Sequence, residues 1–169
     1  VAKIIPNIQA LLAACRKAKV EVIFSVVAAS TNHCRDMSPA LWARNLTCPR
    51  DSKEAQVLEE LRPERDEMVV SKTSSGIFNS TAFDQILKNL GIEYLIVVGV
   101  ATNACVELSV RDAADRGWKV FVVGDATAAF SEQLQRDALE RMSKGLMKVK
   151  STQEMLVLVA RMAAERVAA

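Results

Sequence analysis

The sequence is poor in the residues that metal sites and histidine-based catalytic sites need. It contains one histidine, His33, and four cysteines with no Cys-x-x-Cys pair. A zinc site with three protein ligands usually draws on several His or Cys side chains, and a histidine-dependent triad would have a single candidate base. We therefore expect no bound metal, no cofactor, and chemistry that does without histidine.

The sequence also lacks a strong excess of charge and any long apolar run. Lys and Arg number 22 against 20 Asp and Glu, a net charge of +2, which gives no electrostatic signal for nucleic acid or an anionic membrane. No apolar run approaches the roughly 20 residues that cross a bilayer. With 169 residues, half of them hydrophobic, the chain is typical of one globular domain over 1–169. Neither nucleic acid nor membrane is an expected partner.

The four cysteines are Cys15, Cys34, Cys48 and Cys105, and their spacing is irregular. This does not resemble a disulfide framework in a chain of this size, so we expect reduced thiols and a cytoplasmic protein. Cys15 falls on the apolar face of the first predicted helix and is expected in the core. Cys34 and Cys48 lie in the long irregular segment 28–54 and have no partner pattern.

Strand-like and helix-like periods alternate along the chain. Runs rich in β-branched residues are followed by amphipathic stretches, which is typical of a parallel sheet with helices on both faces. We predict a single α/β domain, a three-layer αβα sandwich around a mostly parallel, doubly wound sheet. The predicted strands are 20–27, 66–72, 93–98, 119–123 and 146–149, and the predicted helices are 4–18, 54–61, 81–89, 103–116, 131–143 and a last helix opened by a Ser151/Glu154 capping box.

Two predicted strands lead into side chains that could react. Lys72 ends one strand, and Cys105 follows another that ends at Gly99. In the first turn of a helix, backbone N–H groups and the positive end of the helix dipole favour a thiolate and could hold an oxyanion. Position alone does not establish such a role, because most isolated cysteines pack in cores and most lysines at strand ends are solvated.

The motifs around these two residues change that balance. GVATNACVE followed by RDA, with VVGDATAA after the next strand, resembles the signature of the isochorismatase-like cysteine hydrolases. Upstream, Lys72 with Gly76, Phe78 and Thr81 resembles that family's K…F..T segment. The two motifs stand in the same order with the same kind of elements between them, and the resemblance extends from Ile5 to the last helix.

The resemblance implies the three-layer α/β fold and an Asp–Lys–Cys triad, with Cys105 as nucleophile and Lys72 as its ammonium partner. It also implies a cis peptide bond that here matches Val100-Ala101, next to the backbone N–H groups that would hold the oxyanion. The candidate substrate contacts are Asn32, Trp42, Phe78 and Asn103.

The triad aspartate is the point at which this sequence departs from the family. The family carries it on a first strand, ahead of the helix that here begins near Ile4, and no such pattern is present in the 169 residues. None of the aspartates matches that position, and Asp125, which follows a strand, is not taken as its substitute. We expect a further segment ahead of Val1, which would make the chain an N-terminally incomplete isochorismatase-like hydrolase domain.

The loop after the first predicted strand narrows the substrate. Family members that hydrolyse nicotinamide carry an Asp/His metal cluster there, whereas this loop reads STNHCRD, with one His and no D-x-H pattern. Members that act on isochorismate commonly lack the cysteine. The prediction is metal-independent hydrolysis of a C–N bond in a small amide or ureide through a thioester, by a homo-oligomer. TNACVE resembles the ureidoacrylate, biuret and carbamoyl-amide hydrolases.

Two alternatives stay open on the sequence. A redox or peroxide-reactive thiol protein of α/β fold would also place an activated cysteine at a strand–helix turn, and fast formation of sulfenic acid would favour it. A non-catalytic protein could keep the isochorismatase fold, and a genuine start codon at Val1 would favour that reading.

Overall fold

The computed structural model describes residues 1–168, with side chains as far as Glu165. The strands are parallel wherever they pair, and helices follow them along the chain. The strands are β1 (Ile23–Val27), β2 (Met68–Lys72), β3 (Tyr94–Val100), β4 (Lys119–Ala128) and β5 (Lys148–Lys150), and the helices are α1 (Ile5–Lys17), α2 (Pro39–Trp42), α3 (Phe83–Asn89), α4 (Glu107–Asp115), α5 (Glu132–Ser143) and α6 (Thr152–Ala168). Single 3₁₀ turns lie at Ala2–Ile4, Lys53–Ala55, Glu59–Leu61 and Ile77–Asn79, and a π-helical turn lies at Thr102–Val106.

Residues 23–93 form one compact unit, built on the parallel pair β1 and β2. The last residues of the two strands, Val27 and Lys72, lie opposite each other, so both strands end at the same edge. The long connection between the strands folds back on that edge, where the Ala29 N–H donates to the Cys48 carbonyl over 2.9 Å. A small apolar cluster in this connection consists of Ala29, Cys34, Met37 and Leu41, with Val27 against it.

Residues 1–22 and the chain from Tyr94 onward form the second compact unit. Its sheet has the order β3-β4-β5, so β4 is the central strand. Helices α1 and α6 pack against each other and against β4, α4 also packs on β4, and α5 packs on β5. The large apolar side chains buried most deeply in this unit include Val110, Val122, Val123, Met142, Met155 and Val159.

A bulge in β4 places Asp125 at the start of the last helix. Between its two stretches of pairing with β3, β4 passes from residue 122 to 127 while β3 passes from 97 to 99. Within this bulge, Asp125 Oδ1 accepts from both the N–H and the hydroxyl of Thr152, over 2.7 Å each. The Asp125 carbonyl accepts from the Asn7 side chain over 2.7 Å. Asp125 is therefore an anchor for α1 and α6.

The predicted α/β class and the parallel pairing are confirmed, and among residues 1–168 the strands lie in a two-stranded and a three-stranded sheet. The predicted helix 54–61 is wrong, because this stretch contains two separate 3₁₀ turns. Within it, Ala55 is the one buried residue. A short helix without an apolar face to dock is not stable, because most helical stability comes from tertiary packing.

Element boundaries differ from the predictions where the periodic pattern fades. The strand expected over 20–27 begins at Ile23, the strand expected over 119–123 continues to Ala128, and the strand expected over 146–149 lies at Lys148–Lys150. The helix expected over 103–116 begins as the π-helical turn and becomes α-helical at Glu107.

The capping box at the start of α6 is confirmed. The Ser151 N–H donates to Glu154 Oε2 over 2.8 Å, and the Glu154 N–H donates to Ser151 Oγ over 3.2 Å. Met155 and Val159 of α6 are buried. The homo-oligomer stays a prediction.

Two further observations concern the environment of the chain. No helix within the described residues is long and apolar enough to span a bilayer. Each of the four cysteines is a free thiol. The cytoplasmic location stays a prediction.

Candidate active site

Cys105 lies on the π-helical turn between β3 and α4. The turn is one residue wider than an α-helical turn, since the Val106 N–H donates to the Ala101 carbonyl over 3.2 Å. The Ser109 hydroxyl donates to the Cys105 carbonyl over 2.6 Å, which ties the turn to α4. Cys105 is half-buried and its thiol is free. Cys105 is therefore held on an ordered turn and is partly exposed as a residue.

The backbone just ahead of this turn has two unusual conformations. Gly99 has a φ of +113°, and a Cβ built there would meet nothing within 4 Å. Glycine is therefore required at this position by the backbone conformation rather than by lack of space. The Val100-Ala101 peptide bond is cis, at the position that the resemblance implies.

Two side-chain oxygens of the turn are buried without a hydrogen-bond partner among the described residues. They are Thr102 Oγ1 and Asn103 Oδ1. Thr102 is 0% exposed. A buried polar atom without a partner costs free energy, so such atoms in a folded protein need an explanation. Both atoms can accept a hydrogen bond from an N–H group.

Lys72 is held at the end of β2 by the loop that follows it. The residue is 4% exposed, and its Nζ donates to the carbonyls of Ser74 over 3.1 Å and Ser75 over 2.7 Å. The loop is braced by the Ser74 hydroxyl, which lies 2.9 Å from both the Gly76 carbonyl and Ser80 Oγ. A buried ammonium is tolerated only where acceptors replace its water, and these carbonyls do so.

The loop after β1 is organised around Asp36. Its Oδ2 accepts from the Ser30 N–H over 2.7 Å and its Oδ1 from the Thr31 hydroxyl over 2.8 Å. These hydrogen bonds, that of Ser30 first, lower the pKa of Asp36 to about 2. Asn32 and His33 are exposed on the same loop.

Within residues 1–168, no three His, Cys, Asp or Glu side chains come together as a metal site would require.

Two predicted substrate contacts already have partners inside the unit 23–93. Trp42 is 48% exposed, and its Nε1 donates to the Cys34 carbonyl over 3.1 Å. Phe78 is buried, with its ring edge-on to Phe83 at 5.2 Å between centroids. Phe78 therefore contributes to the packing of its unit. The substrate roles of both aromatic residues stay predictions.

The predicted site residues fall into two groups. The pairing of the Lys72 ammonium with the Cys105 thiol would join residues of the two units, and it stays a prediction. One unit carries Asn32, Trp42, Lys72 and Phe78. The other carries Val100 at the end of β3, Ala101 directly after it, and Asn103 and Cys105 on the π-helical turn that follows.

The other three cysteines are poor candidates for a nucleophile. Cys15 and Cys34 are buried. Burial raises the pKa of the Cys15 thiol, and burial followed by the charge of Glu54 raises the pKa of the Cys48 thiol. A raised pKa keeps a thiol protonated, and the protonated form is the unreactive one.

The sequence did not reveal a cluster of charged side chains at the start of α4. Glu107 is buried, and its carboxylate accepts hydrogen bonds from Arg111 and from Arg141. The hydrogen bonds of Arg141, opposed by burial, hold the pKa of Glu107 below its ordinary value. Glu107 lies within the motif TNACVE, two residues after Cys105, and this position could have identified it as a candidate site residue. No local pattern could have pointed to Arg141, which is 34 residues away.

Comparison with known proteins gives matches across most of the chain. Residues 1–154 match the isochorismatase domain. Nicotinamidase 3 of Arabidopsis thaliana is 30% identical over 148 residues, which is 84% of this chain and 72% of that protein. The ureidoacrylate amidohydrolase RutB of Pseudomonas savastanoi pv. phaseolicola is 42% identical over 73 residues, which is 43% of this chain and only 29% of that protein.

The fold of this chain is also similar to that of solved structures. A cysteine hydrolase from Pseudomonas syringae pv. phaseolicola 1448A superposes with a TM-score of 0.88 at 27% identity. The superposition covers 95% of this chain and 82% of that one.

Proposed function

The chain belongs to the isochorismatase domain family, and from this premise we propose that it is a metal-independent cysteine hydrolase that cleaves the C–N bond of a small amide or ureide. The observation that carries the proposal is the placement of Cys105, free and half-buried on the ordered turn that follows β3. Relatives named nicotinamidase and ureidoacrylate amidohydrolase support the class of reaction.

In the proposed reaction the Cys105 sulfur attacks the substrate carbonyl as a thiolate. A C–S bond forms, and backbone N–H groups near Ala101 and Cys105 hold the tetrahedral oxyanion. The C–N bond then breaks, and the departing nitrogen takes the proton that the thiol gave up. Water hydrolyses the resulting thioester, which releases the acid and restores the thiol.

Lys72 supplies the positive charge of the proposed triad. Its ammonium is buried and is held by the Ser74 and Ser75 carbonyls, which supports a fixed position for it. A fixed cation next to a thiolate favours the charged form of the sulfur, which is the nucleophile.

We assign the aspartate of the triad to a segment ahead of Val1. Asp125, the candidate in this chain, is engaged with Thr152. Within residues 1–168, β3 pairs with β4 alone, along one of its two edges. Its apolar run 95–98 is half-buried, although continuous apolar runs are typical of strands that are buried on both faces. A further strand along the other edge of β3 would bury the run and bring in the carboxylate.

A protein that includes the residues encoded ahead of Val1 is expected to hydrolyse its substrate about 10²-fold faster than residues 1–169 alone, because a general base contributes on this scale. Ammonia release measures the rates, and thermal unfolding should show a higher Tm for the longer protein. Replacing the added aspartate with Asn should remove the gain in rate and leave the gain in Tm. Full activity of residues 1–169 alone would contradict the assignment.

The turn supports a ureide over nicotinamide as substrate. Asn103 Oδ1 is a buried acceptor without a partner among the described residues. A ureide has N–H groups on both sides of its carbonyl, whereas nicotinamide has a single amide nitrogen. The carboxylates of the loop after β1 also offer no metal cluster within residues 1–168.

We expect ammonia release from N-carbamoyl compounds such as ureidoacrylate, with kcat/KM at least about tenfold above that for nicotinamide, because a site with buried acceptors rejects substrates that leave them unpaired. The rates should not change after treatment with EDTA. Faster turnover of nicotinamide, or loss of activity with EDTA that added zinc restores, would contradict this assignment.

A further inference from the structure

Glu107 lies at the junction of the Cys105 turn and α4, and it is bound by two arginines of different origin. Arg111, on α4 itself, donates through Nε and one terminal nitrogen to Oε1, over 3.2 and 2.9 Å. Arg141, on α5, donates through Nε to Oε1 over 3.2 Å and through a terminal nitrogen to Oε2 over 2.9 Å. The carboxylate is therefore shared between its own helix and a second helix.

The two arginines are matched in exposure and charge, and they differ in the carboxylate oxygens that they bind and in the helices that they connect. Their side chains are 48% and 51% exposed, and each carries one positive charge within 2.9 Å of the carboxylate of Glu107. Arg111 is four residues from Glu107 on the same helix, so its contact adds to the stability of α4 alone. Arg141 of α5 makes a bidentate contact with the carboxylate of Glu107, at the end of the turn. This geometry fixes orientation as well as distance.

We propose that the Glu107–Arg141 pair is a positioning device for the nucleophile, which fixes the Cys105 turn against α5. Cys105 is separated from Glu107 by Val106 alone, and α5 packs directly on the turn. Because the pKa of Glu107 is lowered, the carboxylate stays charged and the contact persists at neutral pH. This inference rests on the proposed function, since it gives Glu107 and Arg141 a role in presenting the attacking sulfur.

The test compares Arg141→Met with Arg111→Met in the full-length protein. Arg141→Met should lower kcat about 10- to 100-fold with little change in KM, because small displacements of a reacting group cost this much. Arg111→Met should stay within about twofold of the parent, because it removes the same charge from the same carboxylate without releasing the turn from α5. Equal losses in the two variants, or an unchanged kcat in Arg141→Met, would overturn the proposal.

A second measurement does not depend on turnover. Alkylation by iodoacetamide, read for each cysteine by peptide mass, should slow about tenfold at Cys105 in Arg141→Met and hardly at all in Arg111→Met, with Cys48 as the internal reference. Equal alkylation of Cys105 in both variants overturns the positioning role. If hydrolysis itself has been wrongly assigned, turnover is absent or survives Cys105→Ala, while the difference in alkylation persists.

A conservative variant guards against a folding defect. Arg141→Lys keeps the charge and loses the bidentate geometry, so it should keep the Tm of the parent and a kcat between those of the parent and Arg141→Met. If Arg141→Lys has the full kcat of the parent, charge alone is sufficient and the positioning role is wrong.

Discussion

Replacing Cys105 with Ala is expected to abolish hydrolysis, with a loss in kcat of about 10⁴-fold or more, because the proposed covalent intermediate forms on the Cys105 sulfur. The side chain is half-buried on the surface of an ordered turn, so removing its sulfur leaves no large cavity. The variant should therefore keep the fold, as measured by circular dichroism and Tm. Ammonia release with the best substrate found in the screen measures the loss.

Cys48→Ala is the matched control for this variant. Cys48 is also a half-buried free thiol, and burial, with the charge of Glu54, raises its pKa. A raised pKa keeps Cys48 protonated, so its removal should leave kcat within about twofold of the parent. Turnover that survives Cys105→Ala, or that is lost equally in Cys48→Ala, would contradict the assignment of Cys105 as the nucleophile.

The same pair of variants separates hydrolysis from peroxide chemistry. A peroxide-reactive thiol protein would form sulfenic acid at Cys105 rapidly and would release no ammonia from amides. A hydrolase should show ammonia release that depends on Cys105, and its Cys105 thiol should be oxidised more slowly than the thiol of a peroxide-reactive protein. Mass analysis of the Cys105 peptide after exposure to hydrogen peroxide measures the difference.

Local signals explain what the sequence predicted well. The Ser151/Glu154 capping box at the start of α6 is a pair of contacts across three residues. Because such contacts depend on sequence neighbours alone, they can be recognised without a fold. The helix predicted over 54–61 shows the limit, since its stability would have required an apolar surface that the stretch does not bury.

The parts of the site that could not be predicted depend on contacts between distant residues. Asp125 follows a predicted strand, and the hydrogen bond that its carboxylate accepts from the Thr152 N–H spans 27 residues. Arg141 reaches Glu107 across 34 residues. The π-helical turn at Thr102–Val106 also has no local sequence signature, so the motif located Cys105 but not the shape of the backbone beneath it.

Replacing Lys72 with Met is expected to lower kcat about 10³-fold, because it removes the cation that is proposed to favour the thiolate of Cys105. Met has a similar length and no charge, so it fits the buried site at the end of β2. The carbonyls of Ser74 and Ser75 lose a donor, and unpaired buried acceptors cost about 1–3 kcal/mol each. Ammonia release and Tm should therefore both fall, the first far more than the second.

Lys53→Met is the control for a simple loss of positive charge from the same unit. Lys53 is exposed on a 3₁₀ turn, so its replacement should leave kcat within about twofold and Tm unchanged. The decisive measurement is alkylation of Cys105 by iodoacetamide at neutral pH, which follows the fraction of thiolate. Lys72→Met should slow it about tenfold or more relative to Lys53→Met, because Lys72 is proposed to stabilise that charge. Equal rates of Cys105 alkylation in the two variants would show that Lys72 does not stabilise the Cys105 thiolate. The role of Lys72 would then be limited to holding the loop after β2.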